Sequence, residues 1–244
     1  TAETQSAGRG RGGRNWASEP GGLFFTVLER PSLALADYPL FSMGAQIAAA
    51  KTVGVLTGKE ARLRWPNDVY AGGKKIAGVL TELSGEGDRL RWIAAGVGIN
   101  INNTLPGDAG TAGALSCAEL AGRRLSRREG LALFLEELEK LRGAGAGELR
   151  DLWNSLAGGI GAPVLVIPPE HGEEKPCRAA ILGRGIFAGV DCRGRCRIRV
   201  EPDRGADRAR VAGQDSVGSV RPGSRESAWK RYSPGTASLI YRGM

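Results

Sequence analysis

The chain has 244 residues, which is enough for one large domain or for a medium domain and a small one. Hydrophobic residues at 41% and charged residues at 25% describe an ordinary soluble globular protein, and Lys plus Arg exceed Asp plus Glu by 34 − 26 = 8. This positive charge suits an anionic ligand or nucleic acid, but the arginines are spread along the whole chain and do not select between them. Four cysteines without a C-x-x-C pair and a single histidine, His171, argue against a zinc site, a disulfide framework and a histidine-based catalytic relay.

An arginine- and glycine-rich segment near the start is the first motif. Residues 8–14 combine four glycines with three arginines, and Trp16 follows two places later. Glycine lets a backbone approach a ligand closely, and arginine adds planar, charged forks that suit phosphate or carboxylate oxygens. The segment therefore predicts a flexible anion-binding loop that closes over a ligand. The alternatives are a disordered segment or non-specific RNA binding.

The same loop matches the dinucleotide-binding pattern G-x-G-x-x-G at Gly8, Gly10 and Gly13. That pattern needs a helix after the loop, and Pro20 with its neighbouring glycines would stop such a helix almost at once. We therefore expect a phosphate-type loop of another kind.

Apolar runs with β-forming residues predict the strands of a first domain. The predicted strands cover residues 23–28, 61–65, 76–83 and 90–101. Pro66 begins a predicted turn over residues 66–68, and a glycine-rich hairpin turn is predicted over residues 85–88.

Helical spacing of apolar residues predicts a helix over residues 38–56 that ends at Gly58. Ser126 and Glu129 form the pattern of a capping box for a second helix. Its predicted apolar stripe is Leu131, Phe134, Leu135, Leu138 and Leu141. A third helix, over residues 148–157, is predicted to bury Leu149, Leu152, Trp153 and Leu156.

No signal peptide is apparent, and Gln46 and Lys51 interrupt the longest apolar run, so we expect no membrane span and a cytoplasmic protein.

After residue 158 the sequence predicts short strands that alternate with Gly- and Pro-rich turns. These strands cover residues 163–167, 178–182, 186–191 and 196–201. The sequence thus predicts a first domain over residues 1–158, a small all-β barrel over 159–223 and a basic tail over 224–244.

Three stretches together resemble the biotin protein ligase family. They are Gly-Arg-Gly-Arg-Gly-Gly-Arg-Asn-Trp at 8–16, Trp-Pro-Asn-Asp-Val at 65–69 with Lys-Lys-Ile-Ala-Gly-Val at 74–79, and Gly-Val-Gly-Ile-Asn-Ile-Asn at 96–102. The resemblance covers nearly the whole chain. It implies an α+β fold in which a mixed β-sheet catalytic domain of the biotin/lipoate ligase type precedes a small SH3-like barrel.

The resemblance also implies the reaction of a biotin–[acetyl-CoA-carboxylase] ligase. Biotin and ATP, with Mg²⁺, would give biotinyl-5′-AMP and pyrophosphate, and a lysine of a carboxylase biotin-carrier domain would then attack the adenylate. Lys75 and Arg11 would supply fixed positive charge, and Asp68 would hold the metal. These three residues are the expected catalytic set.

The binding residues implied by the resemblance come from the same motifs. Gln5 and Gly8 match positions at the biotin ring and its side chain. Arg9, Gly10 and Arg11 match the covering loop, Trp16 the aromatic that packs as the loop orders, and Lys75 the lysine at the carboxylate and phosphate. Asn67 and Asp68 would face the nucleotide and the metal, with Gly98 and Asn100 in the third motif and Asn100 by the adenine end. Trp65 and Ile76 are expected to be core, and Lys74 a solvated neighbour.

Two departures from the family pattern stand out. Arg64 replaces the more usual lysine before Trp-Pro-Asn-Asp, and the Ser-Thr-Asn segment that closes part of the biotin pocket is absent from the sequence. Since the first residue is Thr1, we expect further sequence upstream and weaker biotin binding without it.

The alternatives are a lipoate- or octanoyl-transferring relative and, from a different class, an Arg/Gly-rich nucleic-acid-binding module. The module would need aromatic residues among its basic ones for stacking, and Trp16 alone is nearby. The expected partners are a biotin carrier domain and, in a homodimer, a second copy of the chain, with neither nucleic acid nor membrane. An edge strand of the sheet would offer a docking place for either protein.

Overall fold

The structure, a computed structural model, describes residues 1–31, 34–107, 111 and 113–158, together with the backbone of four later strands. The chain divides into two compact units, of which the first contains residues 1–158 and the second most of those later strands. The strands of the first unit are β1 (Leu23–Glu29), β2 (Ala61–Arg64), β3 (Asp68–Ala71), β4 (Lys74–Glu86) and β5 (Arg89–Ile99). Its helices are α1 (Tyr38–Thr57), α2 (Cys117–Ala121), α3 (Arg127–Lys140) and α4 (Ala146–Leu156).

The five strands form one sheet in the order β1-β5-β4-β3-β2. Every pairing between them is antiparallel, so the predicted mixed sheet is corrected to an antiparallel one. Parallel pairing within the described residues is confined to isolated bridges, including Lys75 with Ala114. The prediction of an α+β fold is confirmed.

Two tight turns shape the centre of the sheet. Gly72 and Gly73 join β3 to β4 with φ of 59° and 74°, a left-handed pair that favours glycine at both places. Gly87 and Asp88 join β4 to β5, because Glu86 already pairs with Arg89. The β4–β5 turn is therefore shorter than the predicted one, and Asp68, predicted as part of a turn, begins β3.

The helices cover one face of the sheet. Helix α1 lies against β2, β3, β4 and β5, α3 lies against α1 and β1, and α4 lies against α1 and β2. Side chains that alternate along the strands fill the space between these layers. Fully buried members of this core are Ile47, Val53, Leu63, Val69, Ile76, Ile99 and Phe134.

Helix α1 has 20 residues and a mean hydropathy of 1.2, so among the described helices it alone is long and apolar enough to cross a membrane. By length and composition alone α1 passes this test, although Gln46 and Lys51 interrupt its apolar run. However, 61% of the helix window is buried inside the protein, against the sheet and the helices α2, α3 and α4. The apolar character of α1 is accounted for by its place in the core.

A chain of hydrogen bonds crosses this core from the sheet to α4. Thr81 Oγ1 of β4 donates to Ser42 Oγ at 3.0 Å, and Gln46 Nε2 donates to the same hydroxyl at 3.2 Å. Trp153 Nε1 of α4 donates to Gln46 Oε1 at 3.1 Å. Polar groups are thus paired across β4, α1 and α4, as their desolvation requires.

The other helix predictions hold in part. Ser126 Oγ accepts a hydrogen bond from the Glu129 N–H at 3.1 Å and caps α3, and Phe134 and Leu138 are buried. Leu135 is 45% exposed, so its predicted place in the apolar stripe is wrong. Helix α2 was not predicted, although Ser116 and Glu119 form a complete capping box at its start.

The second unit contains strands β6 (Pro163–Ile167), β7 (Cys177–Ile181), β8 (Phe187–Ala188) and β9 (Arg197–Val200) in the order β8-β7-β6-β9. β6 pairs antiparallel with both β7 and β9. The SH3-like barrel, the domain boundaries and the basic tail stay predictions. His171 and the tail lie outside the described residues.

Candidate active site

The face of the sheet opposite the helices carries the candidate site. Strand register places Phe24, Gly98, Gly78, Asp68 and Arg64 in one row across all five strands. Residues directly opposite each other in antiparallel strands point to the same face, so this row presents two glycines with Phe24 on one side and a carboxylate followed by a guanidinium on the other. The register therefore joins the second and third sequence motifs into one surface.

The first motif folds into a short hairpin. Trp16 N–H donates to Gly8 O at 2.8 Å, and Gly10 N–H donates to Arg14 O at 2.6 Å. Between them lies a 3-10 turn, Arg11–Gly13, in which Gly12 and Gly13 have φ of 70° and 74°. The loop is not followed by a longer helix but by strand β1, as the sequence predicts from Pro20.

Trp16 packs on the two glycines of the row. A Cβ on Gly98 would lie 2.6 Å from Trp16 Cε2, and a Cβ on Gly78 would lie 3.0 Å from Trp16 Cζ3. The ring therefore occupies the space that side chains would take at both positions. We call this surface, formed by Gly78 and Gly98, the glycine floor.

Lys75 and Asp68 stand beside the glycine floor. Lys75 Nζ lies 2.6 Å from Asp68 Oδ1 and 5.2 Å from the centroid of the Trp16 ring. The two side chains are 25% and 18% exposed, so their charges are only partly screened by solvent. The backbone of Lys75 is also fixed, because its N–H donates to Gly113 O and its carbonyl accepts from Leu115 N–H.

The arginines of the site have different partners. Arg9 Nη1 lies 3.9 Å from Glu82 Oε1, a pair that is well exposed and therefore weak. Arg11 Cζ lies 5.8 Å from the Trp65 ring centroid, which brings the loop against the Trp-Pro-Asn-Asp segment. The loop arginines thus lie over the sheet rather than away from it.

The base of the loop is held by Gln5, Gly8 and Ser18. Ser18 Oγ lies 2.7 Å from Gln5 Oε1 and 3.2 Å from Trp16 O. A Cβ on Gly8 would lie only 2.4 Å from Trp16 O, so this position has no room for a side chain. Sequence reasoning did not select Ser18, which has no motif of its own.

The two asparagines of the site, Asn67 and Asn100, differ in their hydrogen bonding. Asn67 Oδ1 is buried and has no hydrogen-bond partner among the described residues, and the same is true of Trp16 Nε1. Unpaired buried polar atoms are uncommon, and a water or an ion is one partner that would satisfy them. Asn100, by contrast, accepts from Asn103 Nδ2 at 3.1 Å and donates weakly to Leu115 O at 3.5 Å.

Trp16, Asp68, Lys75 and Gly98 lie together on one face of the sheet. The loop residues Gly8, Arg9, Gly10 and Arg11 adjoin them, with Gln5 at the base of the loop and Asn67 next to Asp68 in the chain. Asn100 lies just beyond the end of β5. Ile76 is fully buried, Trp65 packs against the core and Lys74 is exposed, as expected. Gly78 lies within the second motif, and only its pairing with Gly98 in the strand register gives it a role. Cys117 is buried, and burial raises the pKa of its thiol to about 12, so it offers no nucleophile.

Comparison with known proteins gives a consistent result. The family model of the biotin/lipoate A/B protein ligase family matches residues 1–100. The biotin–[acetyl-CoA-carboxylase] ligase of Paracoccus denitrificans is 31% identical over 207 residues, which cover 81% of this chain and 82% of that protein. The bifunctional ligase/repressor BirA of Bacillus subtilis is 33% identical over 168 residues. The match covers 66% of this chain and 51% of BirA, so the chain spans about half the length of that relative.

Solved structures agree on the fold. The biotin protein ligase from Aquifex aeolicus in complex with biotin and ATP superposes with a TM-score of 0.63 at 25% identity, covering 82% of this chain and 87% of that one. The Leishmania major biotin protein ligase in complex with biotinyl-5-AMP gives a TM-score of 0.54 at 23% identity, covering 64% and 69%. At that identity the second likeness concerns the fold alone.

Proposed function

The chain belongs to the biotin protein ligase family, and on that premise we propose that it joins biotin to ATP and transfers the biotinyl group to a protein lysine. The observation that carries the proposal is the glycine floor under Trp16, with the Lys75–Asp68 pair beside it. The Trp16 ring seated on this floor, next to paired charges, suits a ligand with an apolar chain that ends in an anionic group. Biotin and its adenylate have that chemistry.

The first step brings anions together, so the site must neutralise charge. A carboxylate oxygen of biotin forms a bond to the α-phosphorus of ATP, and pyrophosphate leaves with the electrons of the broken bond. Lys75 is fixed by its backbone and its ion pair, which places its ammonium group in advance of the charge that develops at phosphorus. Arg11, on the covering loop, adds a second cation. No nucleophilic side chain is required.

Mg²⁺ fits the site through Asp68. The described residues contain no group of three His, Cys, Asp or Glu side chains that could hold a metal alone. Magnesium in nucleotide sites is held by one or two carboxylates with phosphate oxygens and waters, which a single aspartate beside Asn67 satisfies. When bound, the ion would neutralise phosphate oxygens.

The second step needs a protected intermediate. Biotinyl-5′-AMP is a mixed anhydride that water hydrolyses, and the loop of residues 8–16 lies where it would cover such a ligand. Trp16 closes this loop onto the sheet, and the Ser18–Gln5 contact closes its base. The acceptor would be a lysine of a carboxylase biotin-carrier domain, while a homodimer remains a prediction.

A nucleic-acid-binding module would need an aromatic ring on which bases can stack. Stacking on bases needs an accessible aromatic ring among the basic residues, and Trp16 instead faces the glycine floor. Lipoate and octanoate remain useful competitors, because the matching family model covers both branches.

The test is incubation of the chain with biotin, MgATP and a carboxylase carrier domain, followed by intact mass measurement of the carrier. We expect the mass of one added biotinyl group on the carrier's acceptor lysine. Parallel reactions with lipoate or octanoate, and a carrier whose lysine is replaced by arginine, are the controls. Modification with lipoate but not biotin would reject the proposed substrate.

A further inference from the structure

Arg64 is a cation of this face that the proposed first step does not use. It ends β2 and lies directly opposite Asp68 of β3, in the same row as the glycine floor. Paired residues of antiparallel strands have Cα atoms about 4.5–5.5 Å apart and share a face. Arg64 is therefore one strand beyond the Asp68–Lys75 pair, on the side away from Trp16.

The guanidinium of Arg64 is held in place. Its Cζ lies 4.9 Å from the centroid of the Tyr70 ring, and Tyr70 is two residues after Asp68 on the same strand and face. Stacking on an aromatic face limits the rotamers of a long side chain. The fork is thus pre-positioned before any ligand arrives.

Arg64 has no counter-ion among the described residues. No described carboxylate lies within 4.0 Å of it, although the side chain is half-buried. The other arginine of β2, Arg62, is paired with Glu60 and also donates to Ser155 O at 3.1 Å. Asp68, the nearest carboxylate in the row, is already paired with Lys75. A half-buried cation without a carboxylate suits a bound anion.

We infer that Arg64 binds the β- and γ-phosphates of ATP and holds pyrophosphate as it leaves. In adenylate formation a bond forms from a biotin carboxylate oxygen to the α-phosphorus. The bond from that phosphorus to the bridging oxygen breaks, and pyrophosphate takes the electron pair. Lys75 meets the reacting phosphate, and Arg64 meets the leaving group one strand further along. This inference rests on the proposed function.

Arg64 stands where the family pattern usually has a lysine, and the two side chains bind anions differently. A lysine is a point charge, whereas the planar fork of Arg64 donates two parallel hydrogen bonds to adjacent phosphate oxygens. Pyrophosphate offers such oxygens on both phosphorus atoms. The fork should therefore hold the leaving group more firmly than a single ammonium group would.

The test compares Arg64→Gln and Arg64→Lys with the matched control Arg62→Gln, which removes a charge from the same strand. With inorganic pyrophosphate and the full chain, calorimetry should show about 10- to 100-fold weaker binding in Arg64→Gln, an intermediate loss in Arg64→Lys, and little change in Arg62→Gln. The KM for ATP in adenylate formation should rise by a similar factor. Transfer from supplied biotinyl-5′-AMP, which contains no pyrophosphate, should stay within about twofold.

Three results would overturn the inference. They are unchanged pyrophosphate binding in Arg64→Gln, an equal loss in Arg62→Gln, and an equal loss in both half-reactions, which would mean a structural role. Failure of the proposed function looks different. If the wild-type chain forms no adenylate yet loses pyrophosphate binding on Arg64→Gln, the ligase activity is rejected and the anion site stands.

Discussion

Gly98→Ala should disable adenylate formation without unfolding the protein. The added Cβ would lie 2.6 Å from Trp16 Cε2, 2.7 Å from Nε1 and 2.8 Å from Cζ2. Carbon atoms pack best at about 3.5–4.0 Å, so the ring must retreat by about 1 Å. Since Trp16 belongs to a loop, the loop moves and the sheet keeps its register.

The size of the effect follows from what Trp16 supports. A displacement of about 1 Å near reacting groups costs on the order of 100-fold in rate, and Lys75 stacks on this ring. We expect a loss of about 100-fold in single-turnover pyrophosphate release. The free energy of unfolding should fall by less than about 2 kcal/mol, because overpacking is relieved by a surface loop.

Gly96→Ala is the matched control. It lies on the same strand and face, and its Cβ would meet only Leu80 O at 3.5 Å, an ordinary contact. Trypsin offers a readout independent of activity, since the loop carries three arginines that Gly98→Ala should expose to cleavage. Equal behaviour of the two variants in both assays would refute the packing argument.

Three further predictions concern charge. Lys75→Ala should raise the barrier to adenylate formation by about 2–4 kcal/mol, measured as pyrophosphate release, and a change within about twofold in rate would remove the role assigned to Lys75. Arg11→Gly should let the adenylate escape, so labelling of an excess non-cognate protein should rise, and labelling at the wild-type level would contradict a covering role for the loop. The hydrogen bond from Lys140, followed by one from Lys51, lowers the pKa of Glu137 below its usual 4.5. The ionised Glu137 therefore stabilises the folded protein above pH 4.5, and this stabilisation is lost as the pH falls through the lowered pKa. The melting temperature of Glu137→Gln should accordingly depend less on pH in the acid range than that of the wild type.

The sequence predicts the chemistry of the site better than its geometry. The three motifs identify the loop, Lys75 and Asp68, because residue type and order carry that information. Gly78 gains a role only from its pairing with Gly98, 20 positions later, which no local pattern specifies. Likewise, the approach of Arg11 to Trp65 depends on how the loop folds back over the sheet.

The predicted element boundaries are wrong where tertiary contacts override local preference. The apolar Ile101 extended the predicted strand to residue 101, yet β5 ends at Ile99 and Asn100 binds neighbouring backbone instead. The exposure of Leu135 cannot be read from helical spacing, since spacing does not say how wide the covered face is. The Gly72–Gly73 turn, in contrast, was a strong hairpin signal that sequence reasoning did not use.

The hydrogen-bonded chain from Thr81 through Ser42 and Gln46 to Trp153 has a consequence for how this protein tolerates change. Much of the buried surface of α1 is alanine, with Ile47 and Val53 among its few larger members, so side-chain shape alone gives the helix few fixed points along the sheet. The four polar side chains align in one position only, and so they distinguish the native alignment from its neighbours. A single replacement leaves a buried donor or acceptor unpaired, whereas a replacement of adjacent members together does not. These positions should therefore accept substitutions in pairs more readily than one at a time.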